Sequence, residues 1–332
     1  MVLHLNKSIE KTTAEQLGVK YEAICFHNGQ QYVLVTSSKV KEVPIELKAV
    51  AETVYVTDSD IQLASKQYSS ATRSIDLQVT EVGGSSMNTL VITGPCSVES
   101  LEQIEQSAQL CVELGVKVLR AGCYKPRTSP YTFQGLGLEG LKLLDQMRSK
   151  YGLKIITEVR DSSHVAEVIE YADIVQIGAK AMYDQGILRP CGKSNKPILL
   201  KRGFGSTLQE FVQAAEFILS SGNPNVMLCE RGIRTFETKT RFTLDLCGVA
   251  WLKQNTNLPV ILDPSHAIGY AYGVADLSRA CVAMGVDGLL IETHPNPKVA
   301  KSDAEQQLNF EQFRALHKSM GAVAMAVGRE IV

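Results

Sequence analysis

Apolar and polar positions follow two rhythms along the chain. From residue 90 onward, eight short runs are almost continuously apolar: LVITGPCS (90–97), VKVLRAG (116–122), KIITEV (154–159), IVQIGA (174–179), PILLKR (197–202), VMLCERG (226–232), PVILDPSH (259–266) and GLLIETH (288–294). Runs without strict alternation read as parallel strands covered on both faces. Between them, stretches such as SLEQIEQSAQLCVELG and TLQEFVQAAEFILSSG space their apolar residues for a helix and close on a glycine suited to a helix C-terminus. Eight such units over roughly 245 residues predict an α/β fold of the TIM (β/α)8 barrel type. An open doubly wound sheet would use the same alternation, but the count of eight and the length favour closure.

The first 75 residues read differently. YEAICFH, QQYVLVTS and ETVYVTD have the look of short strands, and EKTTAEQLG and VPIELKAVA supply helical pieces, so a small α+β domain is expected over 1–75 and the barrel over 76–332. The small domain is thin in core for independent stability. SIDLQVTEVGGSSMN reads as a hairpin turning at its Gly-Gly pair and capping the lower end of the barrel.

Chemistry collects where the runs end. Cys96, Arg120, Glu158, Lys180, Lys201, Arg231, His266 and Glu292 occupy or directly follow the C-terminal ends of the runs, which in a TIM barrel all face one active-site mouth. Cys96, His266 and Glu292, with Asp303 in the loop after the last run, form a mixed N/O/S set suited to a divalent metal. Taken singly, each has a plainer reading: a buried thiol, a hydrogen-bonded histidine, an N-cap aspartate. Seven cations, Arg120, Lys125, Arg127, Lys180, Lys201, Arg202 and Arg231, fall at or just after the same ends. So much like charge on one face calls for an anionic ligand, and phosphate matches both Arg forks and Lys point charges.

Overall composition sharpens this, because the whole chain of 332 residues carries a formal net charge of only -1 and 45% apolar residues. That balance excludes a global pull toward nucleic acid or anionic membrane and makes any cationic site local. No apolar run approaches a membrane span, and MVLHLNKSIEKTTAEQ lacks a signal-peptide core, so a cytoplasmic protein is expected. The eight cysteines are scattered without a CxxC pair and, Cys96 apart, read as small buried hydrophobes.

GPCSVES, RAGCYKPRTSPYTFQGLG, TEVRD, QIGA, LLKRGFGST, CERGIRTFE, DPSHAIG and IETHPNPKVAKSDAEQQL, in this order over residues 75 to 332, resemble the 3-deoxy-D-arabino-heptulosonate 7-phosphate (DAHP) synthases in their type I beta form. The resemblance implies condensation of phosphoenolpyruvate with erythrose 4-phosphate, a divalent metal such as Mn2+ held by Cys96, His266, Glu292 and Asp303, and a homo-tetramer. It implies phosphoenolpyruvate contacts from Arg120, Lys125, Glu158, Lys180, Lys201 and Arg231. The sugar phosphate would meet Pro126, Arg127, Thr128 and Ser129 of the KPRTS loop, with Asp263 near its hydroxyls. Lys125, His266 and Cys96 would form the catalytic group, the proton carrier being open between Lys125 and His266. The first 75 residues resemble the ferredoxin-like regulatory domain of some members, implying tyrosine or phenylalanine as effector. Departures are GAKA where the family reads GARN, which puts Lys180 for an arginine, and Cys123 and Tyr124 where Ala and Phe are common. Three alternatives stay open: a 3-deoxy-D-manno-octulosonate 8-phosphate synthase, whose loop is typically of KANRS type; a paralogue taking another sugar phosphate; and a non-catalytic aromatic amino acid sensor.

Overall fold

A computed structural model describes residues 1–125 and 129–332. The N-terminal segment runs β1 (Val2–Leu5), helix Lys11–Lys20, β2 (Ile24–His27), β3 (Tyr32–Val35), helix Ile45–Val50 and β4 (Ala51–Tyr55). Its four strands form an antiparallel sheet in the order β2-β3-β1-β4. Alternation along the strands gives the sheet two apolar faces. Leu3, Leu5 and Leu34 pack with Ala14, Leu17 and Leu47 of the two helices. Val2, Val33 and Val35 face the other way and join the core that surrounds the barrel. The module's thin core is thus supplemented by burial against the rest of the chain.

Next come a hairpin, β5 (Ser74–Asp76) and β6 (Glu81–Gly83), and the eight strands read from the sequence: β7 (Asn88–Gly94), β8 (Val118–Arg120), β9 (Lys154–Val159), β10 (Ile174–Ile177), β11 (Ile198–Lys201), β12 (Val226–Glu230), β13 (Val260–Leu262) and β14 (Gly288–Glu292). Each pairs in parallel with the next, and β14 pairs with β7 from Gly288↔Leu90 to Glu292↔Gly94, closing a TIM-type barrel. A final short strand, β15 (Glu330–Ile331), adds to β7. The two helical segments quoted above begin at Ser100 and Thr207 caps, and Gly115 and Gly222 follow their last turns at φ 72° and 107°.

The near-continuous apolar runs resolve into two alternating sets. Leu90, Ile92, Val118, Ile156, Ile174, Leu199, Met227, Cys229, Ile261 and Leu290 fill the barrel interior, while intervening residues such as Val91, Leu119, Val175, Leu200 and Leu289 pack outward on the helices. Ile75, Leu77 and Val82 of the hairpin join the interior set, so the hairpin plugs the N-terminal end. The expected Gly-Gly turn is corrected: the chain reverses at Leu77 to Thr80, with Gln78 at φ 67°, while Gly83 ends β6 and Gly84 follows it. Gly83 is required instead by a close approach, since a Cβ there would lie 2.4 Å from the Arg73 carbonyl oxygen. Among the described residues no helix is long and apolar enough to cross a membrane.

Candidate active site

Period-two alternation also builds the site. Two residues beyond an inward apolar side chain, the next inward position lies at the C-terminal mouth. Val118 leads to Arg120, Ile156 to Glu158, Leu199 to Lys201, Cys229 to Arg231, Ile261 to Asp263 and Leu290 to Glu292. The expected convergence of strand ends is therefore a consequence of pleat and closure. A cavity at this mouth is lined by Lys125, Glu158, Lys180, Lys201, Arg231, His266 and Asp303, together with Ala179, Phe204, Arg241 and Phe242.

Donor atoms of Cys96, Glu292 and Asp303 all lie within 4.8 Å of one another. The His266 Nε2 atom stands 3.5 Å from Glu292 Oε1 and 3.9 Å from Asp303 Oδ2. Local sequence explains each placement. DPSHAIG forms a single capped turn in which the Asp263 carboxylate accepts the His266 N–H at 3.0 Å, Pro264 begins the helix and Gly269 ends it at φ 77°. The Cys96 N–H donates to Gln307 Oε1 at 3.0 Å, and Glu292 accepts from Gln306, so the last loop is tied to both residues. Asp303 itself sits at φ 47°, a conformation aspartate tolerates better than most residues.

Burial, followed by the Glu292 charge, pushes the Cys96 thiol up to about 12. Its Sγ lies 3.1 Å from Asp303 Oδ2, and Lys125 Nζ donates to the Cys96 carbonyl oxygen at 2.9 Å and stands 3.0 Å from Sγ. Burial alone would lower Lys125, but Cys96 and Glu158 outweigh it and raise the ammonium. Burial lowers His266 despite the nearby Asp263 and Glu292. Asp263 is held well below the carboxylate range because His266 and Lys201 overcome its burial, with Lys201 Nζ at 2.6 Å and His266 Nδ1 at 2.7 Å from Oδ2. For Asp303, His266 and Arg241 likewise overcome burial and lower the carboxyl.

The structure separates the expected residues into groups. Cys96, His266, Glu292 and Asp303 come together. Lys125, Glu158, Lys180, Lys201 and Arg231 line the cavity, and Arg120 is buried just below it, donating to Glu292. Asp263 is fully buried and engaged by Lys201 and His266. Arg202 braces the wall through Glu230 at 3.0 Å and Asp245 at 2.8 Å. Ser129 belongs to the turned segment after Lys125, its carbonyl accepting from Thr132 and Gln134; Pro126, Arg127 and Thr128 lie outside the described residues. The base of that loop is fixed by Lys125 N–H to Gln134 O and Gly137 N–H to Cys123 O, both 3.0 Å, and Tyr124 stacks on His164 at 3.8 Å. Sequence reasoning missed Arg241, Phe204 and Phe242. Arg241 and Phe242 stand on the long connection after β12, far from any strand end, and only the unusual length of that segment could have flagged them.

The DAHP synthetase I family model matches residues 28–327. A phospho-2-dehydro-3-deoxyheptonate aldolase of Thermotoga maritima is 46% identical over 270 residues, 81% of this chain and 79% of that one. A 2-dehydro-3-deoxyphosphooctonate aldolase of Magnetococcus marinus is 32% identical, covering 72% of this chain and 89% of its own. The crystal structure of the DAHP synthase of Thermotoga maritima superimposes with a TM-score of 0.81 at 38% identity, covering 100% of this chain and 99% of that one.

Proposed function

We propose, from the premise that this chain belongs to the DAHP synthetase I family, that it condenses phosphoenolpyruvate with erythrose 4-phosphate and water to give 3-deoxy-D-arabino-heptulosonate 7-phosphate and phosphate. The observation that carries this reading is the convergence, at one barrel mouth, of a thiol–carboxylate cluster within 4.8 Å and a ring of buried cations. The type I beta form is supported by the quoted motifs.

Donor binding falls to Arg231, Lys201 and Lys125, which hold the phosphate and carboxylate of phosphoenolpyruvate, with Arg120 beneath, Lys180 at the rim and Glu158 beside them. Glu158 is oriented by Gln176 and by Gly178, where a Cβ would come within 2.4 Å of its Oε1. The acceptor's phosphate is assigned to the loop Lys125 to Ser129, including Pro126, Arg127 and Thr128, and Asp263 is placed near its hydroxyls. The N/O/S donor set fits a divalent metal such as Mn2+ in being compact and mixed in softness, with Cys96 and Glu292 buried and His266 and Asp303 opening onto the cavity. A metal held there supplies Lewis-acid polarisation of the acceptor aldehyde. Lys125, raised by its anionic neighbours, keeps a proton at neutral pH and can deliver it to the oxygen that becomes a hydroxyl. The fixed cations hold both substrates in attack geometry, which supplies much of the rate.

Residues 1–75 are assigned to a regulatory domain and 76–332 to the catalytic barrel. The β-α-β-β-α-β order of the N-terminal module and its β2-β3-β1-β4 sheet support a ferredoxin-like reading, with tyrosine or phenylalanine as effector. A homo-tetramer in the cytoplasm completes the proposal.

The test follows phosphoenolpyruvate loss with manganese while erythrose 4-phosphate and then arabinose 5-phosphate are offered. Turnover with erythrose 4-phosphate is expected. Turnover with arabinose 5-phosphate alone would move the chain to octulosonate synthesis, and none with either sugar would support a sensor.

A further inference from the structure

Among the described residues, five cations at the mouth are buried: Arg120, Lys125, Lys201, Arg202 and Arg231. Three are matched by acids, Arg120 by Glu292, Lys201 by Asp263 and Arg202 by Glu230 and Asp245. Arg231 is built differently. Among the described residues no carboxylate lies within ion-pair distance of it and its Nη1 has no hydrogen-bond partner. Its guanidinium instead lies over the Phe242 ring, 4.4 Å from the centroid.

We propose that Phe242 is a positioning residue for the anionic donor, its ring orienting Arg231 by a cation–π contact that leaves the guanidinium charge available to the ligand. The inference rests on the reading of this cavity as the phosphoenolpyruvate site. A carboxylate partner would compete with the ligand for the same N–H donors. An aromatic face attracts the cation without occupying those donors, which remain free to fork onto phosphate.

The surrounding backbone holds the ring in place. The Phe242 N–H donates to Ala267 O at 2.8 Å, directly after His266, and Ile233 and Thr243 exchange two bonds of 2.9 Å that fold the segment back on Arg231. Gly232, at φ 94°, permits this approach, because a Cβ there would lie 2.6 Å from the Phe242 Cβ. Phe204 stacks on Phe242 with centroids 5.4 Å apart, and the Arg234 guanidinium lies 4.4 Å from the Phe204 centroid, so the two stacked rings stand between two guanidinium groups. Arg241 approaches the Phe242 ring less closely, at 5.8 Å, and has its own partners in Gln306 and Asp303.

The test replaces Phe242 in the full-length chain by phenylalanines of increasing fluorine content, which keep the ring's shape and weaken its negative face. Phosphoenolpyruvate affinity is measured by calorimetry with manganese present, alongside the KM of each substrate and the melting temperature. The dissociation constant is expected to rise stepwise, reaching about tenfold at the most fluorinated ring, with erythrose 4-phosphate KM and melting temperature unchanged. Phe242→Leu should match the far end of the series and Phe242→Tyr should restore binding. A flat series in a protein that binds phosphoenolpyruvate overturns the proposal alone. If the unsubstituted protein binds no phosphoenolpyruvate, the donor-site reading falls, and this inference with it.

Discussion

Glu216 tests how burial competes with hydrogen bonding at the seam between the N-terminal module and the barrel. It stands on the outer helix Leu208–Leu219, where Oε1 accepts the N–H groups of Gln62 and Ala64 at 2.7 and 2.8 Å and Oε2 accepts that of Leu63 at 3.2 Å. Burial raises the carboxyl from 4.5 to about 7, against these three bonds and the charge of Arg73. Between those two values the docked segment keeps a proton that the undocked segment has shed. Docking is therefore strongest below about pH 4.5 and weakens as pH rises to about 7. The full shift corresponds to at most about 3 kcal/mol; because Glu216 borders an open cavity, screening reduces the expected effect to about 1–2 kcal/mol. Amide exchange at Gln62, Leu63 and Ala64, corrected for intrinsic rates, should lose roughly tenfold protection between pH 5 and pH 8. Glu216→Gln should flatten the profile. Protection that rises with pH would show that the three N–H donors outweigh burial, refuting the reasoning.

Other positions give independent checks. Asp263→Asn leaves Lys201 buried without an acid and should cost about 3 kcal/mol by denaturant titration, with a large loss of kcat. Gly178→Ala drives a Cβ into Glu158, whose Oε1 would be 2.4 Å away; phosphoenolpyruvate KM should rise about tenfold in steady-state assays with little change in melting temperature. Ile75→Ala opens a cavity where the hairpin plugs the barrel and should destabilise by about 2–4 kcal/mol, leaving both KM values unchanged because the site lies at the opposite end.

The barrel was legible because eight apolar runs of strand length alternate with helical stretches, and each run ends in a polar residue that the pleat then turns inward. β1 was not legible. VLHL opens the chain with no turn signal before it, yet it is an inner strand of its sheet, bonded to both β3 and β4. The hairpin turn was misread because glycines at 83 and 84 suggested a reversal, whereas Gln78 accepts the positive φ and Gly83 serves a close contact with Arg73 and Pro259. The division of labour among cations was equally invisible: Arg202 and Arg231 both follow strand ends, but only the folded chain shows Arg202 neutralised by Glu230 and Asp245 and Arg231 resting on Phe242. Partners drawn from distant loops leave no mark in local spacing.

The most direct test is diffraction at the manganese edge from crystals grown with Mn2+ and phosphoenolpyruvate. A single anomalous peak enclosed by Cys96, His266, Glu292 and Asp303, with the phosphate of phosphoenolpyruvate on Arg231 and Lys201 across the same mouth, is the predicted result. Manganese bound elsewhere, or phosphoenolpyruvate seated away from these cations, would contradict it.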